Sequence, residues 1–500
     1  VRRLADAYRG AATWRQCAIL ALPLIVFARA SAPAVWIGTA LLLVALFYLR
    51  LDLGLRLIVL ALPFAFSYKH FGADIYSPPE ILTIACFIAW MTRAIRSLPR
   101  PSMGSPAVRP GQSPDPTAGR GGRALLAILA RRCRPLDWAV LTFIATACLS
   151  LFIAEDAGAA RWEVRILVIE PALVYLMTRS NIGAPPAQAP SRAQVARQPG
   201  RLSLSLADAL AAAGLIIATI GLYQYLFTDY VESVQGVRRI LSLFDSPNHV
   251  SLFLGRIAPI SFCLAAFGAA RPGQGANWRR VYHAAALLPT LLCLYLTYSR
   301  GAWLLGLPAA LIFIGVMRGR RGRIATAIAL IGALLALIPI LRTPRMASLL
   351  TLESGTNYHR LLLWQGASRM IAANPILGVG LGNFMRHYPR HMLREAGHEP
   401  VVFHPHNLLL DTWTSMGLPG IAALTFVLAA FFRAGLRAYR RLHGERQLQA
   451  LALGLLASMV SFGAHGLVDT GFRLTDLAFV FMLTLGMIAG MPPGSPRDDR

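Results

Sequence analysis

Long apolar runs separated by short polar connections dominate this chain. They fall near residues 17–28, 33–49, 55–67, 79–95, 137–153, 164–178, 206–228, 249–270, 283–298, 301–317, 324–341, 407–432, 448–468 and 474–490. Most are long enough to cross a bilayer as a helix, which needs about 20 apolar residues. A helix keeps its backbone polar groups paired in lipid, so the expected fold is an all-α polytopic membrane protein. About 12–14 spans are predicted, since the first three runs are short. They form a single integral membrane domain over residues 1–500, and no internal repeat is visible.

Composition agrees with the pattern. Of the 500 residues 56% are hydrophobic and only 14% charged, where a soluble chain carries about 25% charges. The N-terminal VRRLADAYRGAATWRQ reads as a basic flank, without a signal-peptide cleavage pattern. The net charge of +26 is not read as a nucleic-acid surface, because the arginines lie in short loops between apolar runs. Lys69 is the only lysine, so arginine is the default cation here. Six cysteines, Cys17, Cys86, Cys133, Cys148, Cys263 and Cys293, show no metal or redox spacing. They are expected to be small buried hydrophobes.

Arginine-rich connections at 1–15, 93–134, 179–201, 271–280, 318–323 and 433–446 all land on one side of a fourteen-span arrangement. The positive-inside rule makes that side cytoplasmic, with both termini. Residues 97–122 and 181–201, rich in Pro, Gly, Ala and Ser, are expected to be flexible cytoplasmic linkers. The longest outward segment, the large periplasmic loop 342–406, breaks the rule. It holds seven arginines and six of the eleven histidines, and a cationic surface there suggests an anionic ligand. NYHRLLLWQGASRMIAA within it has helical spacing, with Asn357 as its cap and an end before Pro375. GVGLGNF reads as a turn. FMRHYPRHMLREAGH reads as a second amphipathic helix at the membrane surface.

Four motifs gather on the outer face under this topology: RRILSLFDSPNHV (238–250), TYSRGAW (297–303), NYHRLLLW (357–364) and HPHN (404–407). Arg239, Arg300 and Arg360 carry the planar, always-charged fork that suits a diphosphate. Arg300 interrupts two apolar runs, where a cation costs about 2.5–3.5 kcal/mol even on a lenient scale. An interfacial arginine snorkelling to water is the plainer alternative. Arg256, about 12 Å below Asn248 at 1.5 Å per residue, lines the same cavity or pairs with a carboxylate not identified from sequence. Asn407 reads as a helix N-cap. That position disfavours an imidazolium, leaving His406 neutral and able to take a proton. A polar interfacial cap is the plainer reading of His406 alone. Metal binding is the rival use of the histidines, since His387 and His391 stand at i, i+4 and His404 with His406 could add ligands. No HExxH or clustered carboxylates accompany them, so no metal and no cofactor is expected.

TYSRGAW, then NYHRLLLWQGASRMIAANPILGVGLGNF, then HPHNLLLDTWTSMGLPG, with RRILSLFDSPNHV upstream, resembles the O-antigen ligase and O-antigen polymerase superfamily over roughly 238–420. The resemblance implies a metal-independent membrane glycosyltransferase of the C type. Its donor would be a glycan on undecaprenyl diphosphate, and its acceptor a lipid or glycan hydroxyl at the periplasmic face of the bacterial inner membrane. Carried onto this chain, it makes Arg239, Arg300 and Arg360 diphosphate or loop arginines, and His406 the base with His404 beside it. Asn407, Asn248 and Arg256 become supporting residues. The chain departs from the family in an extra N-terminal hairpin and in SLFDSPN, where a glycine-containing segment is usual. Ligation onto a lipid acceptor is the leading expectation. A repeat-unit polymerase, a protein O-oligosaccharyltransferase and a transporter of the same lipid-linked glycan are the alternatives.

Overall fold

A computed structural model describes residues 2–29, 32–71, 74–96, 133–182, 200–234, 236–269, 277–341, 343, 355–396 and 402–492. The proposed linker 97–122 lies outside the described residues, as do 183–199 of the second linker. The protein is an all-α bundle, and its only sheet among the described residues is two short hairpins. Among the described residues six helices are long and apolar enough to cross a membrane: Pro135–Phe152, Arg201–Phe227, Pro247–Phe267, Gly319–Ile338, Leu408–Arg441 and Arg446–Gly466. Four shorter apolar helices, Thr13–Phe27, Ala34–Leu49, Ala302–Met317 and Thr475–Ala489, join them.

Burial separates a central layer from a rim. Pro247–Phe267 and Arg446–Gly466 are each 78% buried and pack side by side, whereas Gly319–Ile338 is only 6% buried. A Cβ on Gly454 would stand 2.8 Å from the Ile260 backbone, so the absence of a side chain there lets the two central helices close up. The rim helix Gly319–Ile338 turns Ile328, Ile331, Leu334 and Leu335 outward, as a lipid-facing surface requires. The run 164–178 belongs to a longer helical stretch, Ala157–Glu163 and Glu170–Ile182, joined through a π-turn at Val164–Ile169.

Within 342–406, the first helix is Gly355–Ala373. It begins before Asn357, which is therefore an interior residue and not the cap. It does stop short of Pro375. GVGLGNF is a turn, with Gly378, Gly380 and Gly382 all at positive φ (73°, 91° and 73°). The expected second amphipathic helix is broken into pieces, Phe384–His387, Tyr388–Arg390 and Arg394–Ala396. Pro389 lacks the N–H that would continue a helix through this stretch.

The glycine turn anchors this segment to the bundle. The Leu408–Arg441 helix kinks at Gly417 (φ 62°, ψ −159°), two residues before Pro419. The carbonyls freed there are taken by the turn: Val379 N donates to Thr414 O at 2.8 Å and Gly380 N to Ser415 O at 3.1 Å. In return Leu418 N donates to Ile376 O at 3.0 Å. Asn383, fully buried, accepts from Asp156 N at 2.7 Å and donates to Asp156 O at 3.2 Å.

Candidate active site

At the end of the bundle that carries these loops, the hairpin Val231–Val234/Val237–Ile240 sets Glu232 opposite Arg239. Arg239 is buried and ion-paired to Glu232. Its Nε donates to Thr297 O at 2.8 Å and its Nη2 to Asn248 Oδ1 at 2.9 Å. The SPN tripeptide explains how Asn248 is aimed. Ser246 caps the Pro247–Phe267 helix by accepting from Asn248 N, and Pro247 occupies the first turn, where its missing N–H costs nothing.

TYSRGAW makes a tight reversal after the Trp278–Leu296 helix. Tyr298 is left-handed (φ 50°), and the chain re-enters the bundle through a π-turn at Ala302–Gly306. Gly301 admits the neighbouring helix, for a Cβ there would lie 2.6 Å from the His465 ring. Arg300 is thereby held at the inner wall, 8% exposed. Burial, then the charges of Arg360 and Arg239, lower its pKa. Three guanidinium groups crowding one wall raise the electrostatic cost of that wall until an anion arrives.

His406 sits at φ 47°, just ahead of the Leu408–Arg441 helix. Asn407 is the N-cap, its side chain accepting from Leu409 N and Leu410 N and donating to Leu467 O at 2.8 Å. Nδ1 of His406 meets Asp469 Oδ1 at 2.9 Å, and Arg360 Nη2 approaches the other oxygen at 3.5 Å. Burial alone would raise the Asp469 carboxyl, but the hydrogen bond and charge of His406, with Arg360 and His465, hold it well below the usual range. An ionised carboxylate only accepts, so Nδ1 carries a proton; in the neutral tautomer this bond selects, Nε2 is the acceptor. His404 lies edge-on to His406, ring centroids 4.4 Å apart, with Nδ1 3.4 Å from Thr470 Oγ1. Burial first, then the His406 charge, push its pKa down to about 3, so it stays neutral. Ser242, Tyr298 and His406 are the non-glycine residues at positive φ among those described. Two of them adjoin Arg300 and Asp469, and backbone strain of this kind concentrates at functional sites.

Two neighbouring cavities occupy this end. One, of about 260 Å³, is lined by Arg239, Arg300, Arg360, Glu232, His465 and Asp469 among others. The other, of about 190 Å³, is lined by His406, His359 and Tyr388 among others. Asn248 and Arg360 belong to both walls.

Thus Arg239, Arg300, Arg360, Asn248 and His406 converge, with His404 and Asn407 bracing the histidine. Arg256 has a different placement. It is buried on the Phe462 face at 3.9 Å and donates to Gly471 O at 3.0 Å, so its partner is a backbone carbonyl and not a carboxylate. It fixes the turn that carries Asp469. His387 turns to Glu155 (3.5 Å), and His391 Nδ1 to the His387 carbonyl (3.0 Å). Among the described residues no group of three or more His, Cys, Asp or Glu side chains is placed to hold a metal. Asp469 is the residue that sequence reading missed. Its signal was a carboxylate in GLVDTGFR, at the outward end of an apolar run, as Arg300 is.

Residues 285–425 match a family model described as O-antigen ligase. That segment contains Arg300, Arg360, His404 and His406, while Arg239 and Asp469 lie outside it and join the site through geometry alone. No curated protein sequence matches the chain.

Proposed function

We propose, for a multi-pass membrane protein with an O-antigen ligase family segment over residues 285–425, that this site transfers a glycan from an undecaprenyl-diphosphate carrier onto a lipid-anchored acceptor at the periplasmic face. The match over residues 285–425 supports glycan transfer of O-antigen ligase or polymerase type. The arrangement that carries the finer reading is the Arg360–Asp469–His406 chain beside a cavity walled by Arg239 and Arg300.

Nε2 of His406 accepts the acceptor hydroxyl proton as that oxygen attacks the anomeric carbon. The new C–O bond forms as the bond from carbon to phosphate oxygen breaks, and the electron pair leaves with the diphosphate. Arg239, Arg300 and Arg360 neutralise the leaving group, and Asp469 holds the imidazole tautomer and stabilises its charged form. A single displacement of this kind inverts the anomeric configuration. Arginine charge takes the place a cation would have, so transfer is expected to persist in EDTA. Loss of activity restored by zinc or magnesium would assign the histidines to a metal instead.

His406→Ala should lower turnover by roughly 10²–10⁴-fold and leave donor binding near wild type. Arg300→Lys keeps charge but loses the fork, and should weaken donor binding and turnover together. Near-normal transfer by both variants, at wild-type abundance in the membrane, would reduce the site to a helix cap and an interfacial anchor. A repeat-unit polymerase would run the same chemistry with a lipid-linked glycan as acceptor. Product analysis with each acceptor separates the two.

A further inference from the structure

The two cavities divide the charged groups unequally. All three arginines line the larger one, together with Asp469. The smaller one has His406 in its wall, but of the three arginines only Arg360, which is shared. The rest of its lining is mixed: His359, Tyr388, Leu363 and Val402. His406 and Asp469 are bonded to each other and yet line different cavities, so their contact lies within the partition.

A base must face the hydroxyl it deprotonates, and a leaving diphosphate must face the cations that neutralise it. These needs place nucleophile and leaving group on opposite sides of one reacting carbon. Resting on the transferase reading above, we infer that the smaller cavity is the acceptor subsite. It takes the sugar that bears the attacking hydroxyl, while the larger cavity takes the donor diphosphate. Asn248 and Arg360 mark the partition at which the two substrates meet.

The lining suits a polar saccharide beside the shared Arg360. Tyr388, its ring stacked on Phe384 with centroids 5.4 Å apart, closes the floor of the cavity, and His359 supplies a polar edge. Apolar and aromatic walls with a few placed polar groups are the usual make-up of a small-ligand pocket. Tyr388 is 2% exposed and belongs to a small core with Leu363, Ala367, Met370, Val379 and Phe384. His359, Leu363, Tyr388 and Ala396 on the acceptor side thus come from the docked 355–396 segment, whereas Arg239, Arg300 and Asp469 on the donor side come from the bundle.

The test uses full-length protein in nanodiscs, a fluorescent undecaprenyl diphosphate to read donor-side binding, and a core glycolipid titrated as acceptor. His359→Ala should raise the acceptor KM by about tenfold, the scale of one lost hydrogen bond, with prenyl diphosphate binding unchanged. Val402→Trp fills the smaller cavity and should abolish acceptor saturation while prenyl diphosphate still binds. An unchanged acceptor KM in both variants would overturn the assignment, as would a parallel loss of prenyl diphosphate binding. A wild-type protein that binds the prenyl diphosphate but transfers nothing to any glycolipid would instead defeat the transferase reading itself, and the subsite with it.

Discussion

At the scale of single residues, the site depends on a carboxylate 63 positions along the chain from the histidine it orients. Asp469→Asn keeps an acceptor for Nδ1 but removes the charge that stabilises the imidazolium. Turnover should fall on the order of 10²–10⁴-fold, with donor binding retained or tightened because Arg360 loses its counter-charge. A variant that loses donor binding in proportion to turnover would make Asp469 a structural acid only. His404 has a different signature. Unfolded, it takes a proton near the ordinary histidine value of about 6.5; folded, only near about 3. A depressed folded pKa means that stability is present above the unfolded value and drains away as pH falls between the two. His404→Gln should therefore flatten the fall in Tm between pH 7 and pH 4 in detergent, and an unaltered slope would count against the burial argument. Arg239, Arg300, Arg360, Asn248 and His406 were legible because each is a polar side chain set against an apolar run. Asp469 was not, because nothing local distinguishes it from Asp476, and its partner is remote in sequence.

Elements were read well where periodicity was long and badly where backbone geometry decided. The all-α, multi-pass character emerged from hydropathy alone, although six long and four shorter apolar helices stand among the described residues where 12–14 spans were expected. Pro375 marked the end of the Gly355–Ala373 helix. The broken stretch after Phe384 was misread as one helix although Pro389 stood in plain view, since its apolar spacing outweighed a single residue. The glycine turn was recognised, but its purpose was not: it takes up carbonyls that a kink at Gly417 releases. Gly378 is the critical position, at φ 73° with Thr414 O 2.5 Å from where a Cβ would be. Gly378→Ala should loosen the 355–396 segment from the bundle. We expect limited proteolysis within that segment to accelerate several-fold, while protein abundance in the membrane stays near wild type. Unchanged protection would mean that the Asn383–Asp156 bonds alone suffice for docking.

Across the whole molecule, charge distribution predicted sidedness, and that prediction has a direct check. A reporter fused at Gly397 should read periplasmic, and reporters at Ser113 and Gly444 cytoplasmic. A cytoplasmic signal at Gly397 would part the arginine loop from the lipid-linked donor and defeat the mechanism. The site gathers residues from Arg239 to Asp469, so no fragment confined to 285–425 contains it. One consequence concerns time. During synthesis the ribosome delivers the arginines and His406 well before the turn between the last two helices. Among the described residues Asp469 is the partner of His406 Nδ1, so on the proposed mechanism the imidazole lacks its orienting carboxylate until residue 469 is made. On that mechanism, a chain ending after residue 466 would carry the arginines and His406 and yet be inert. If the proposed mechanism holds, completion of the final helix pair is the step at which activity first becomes possible.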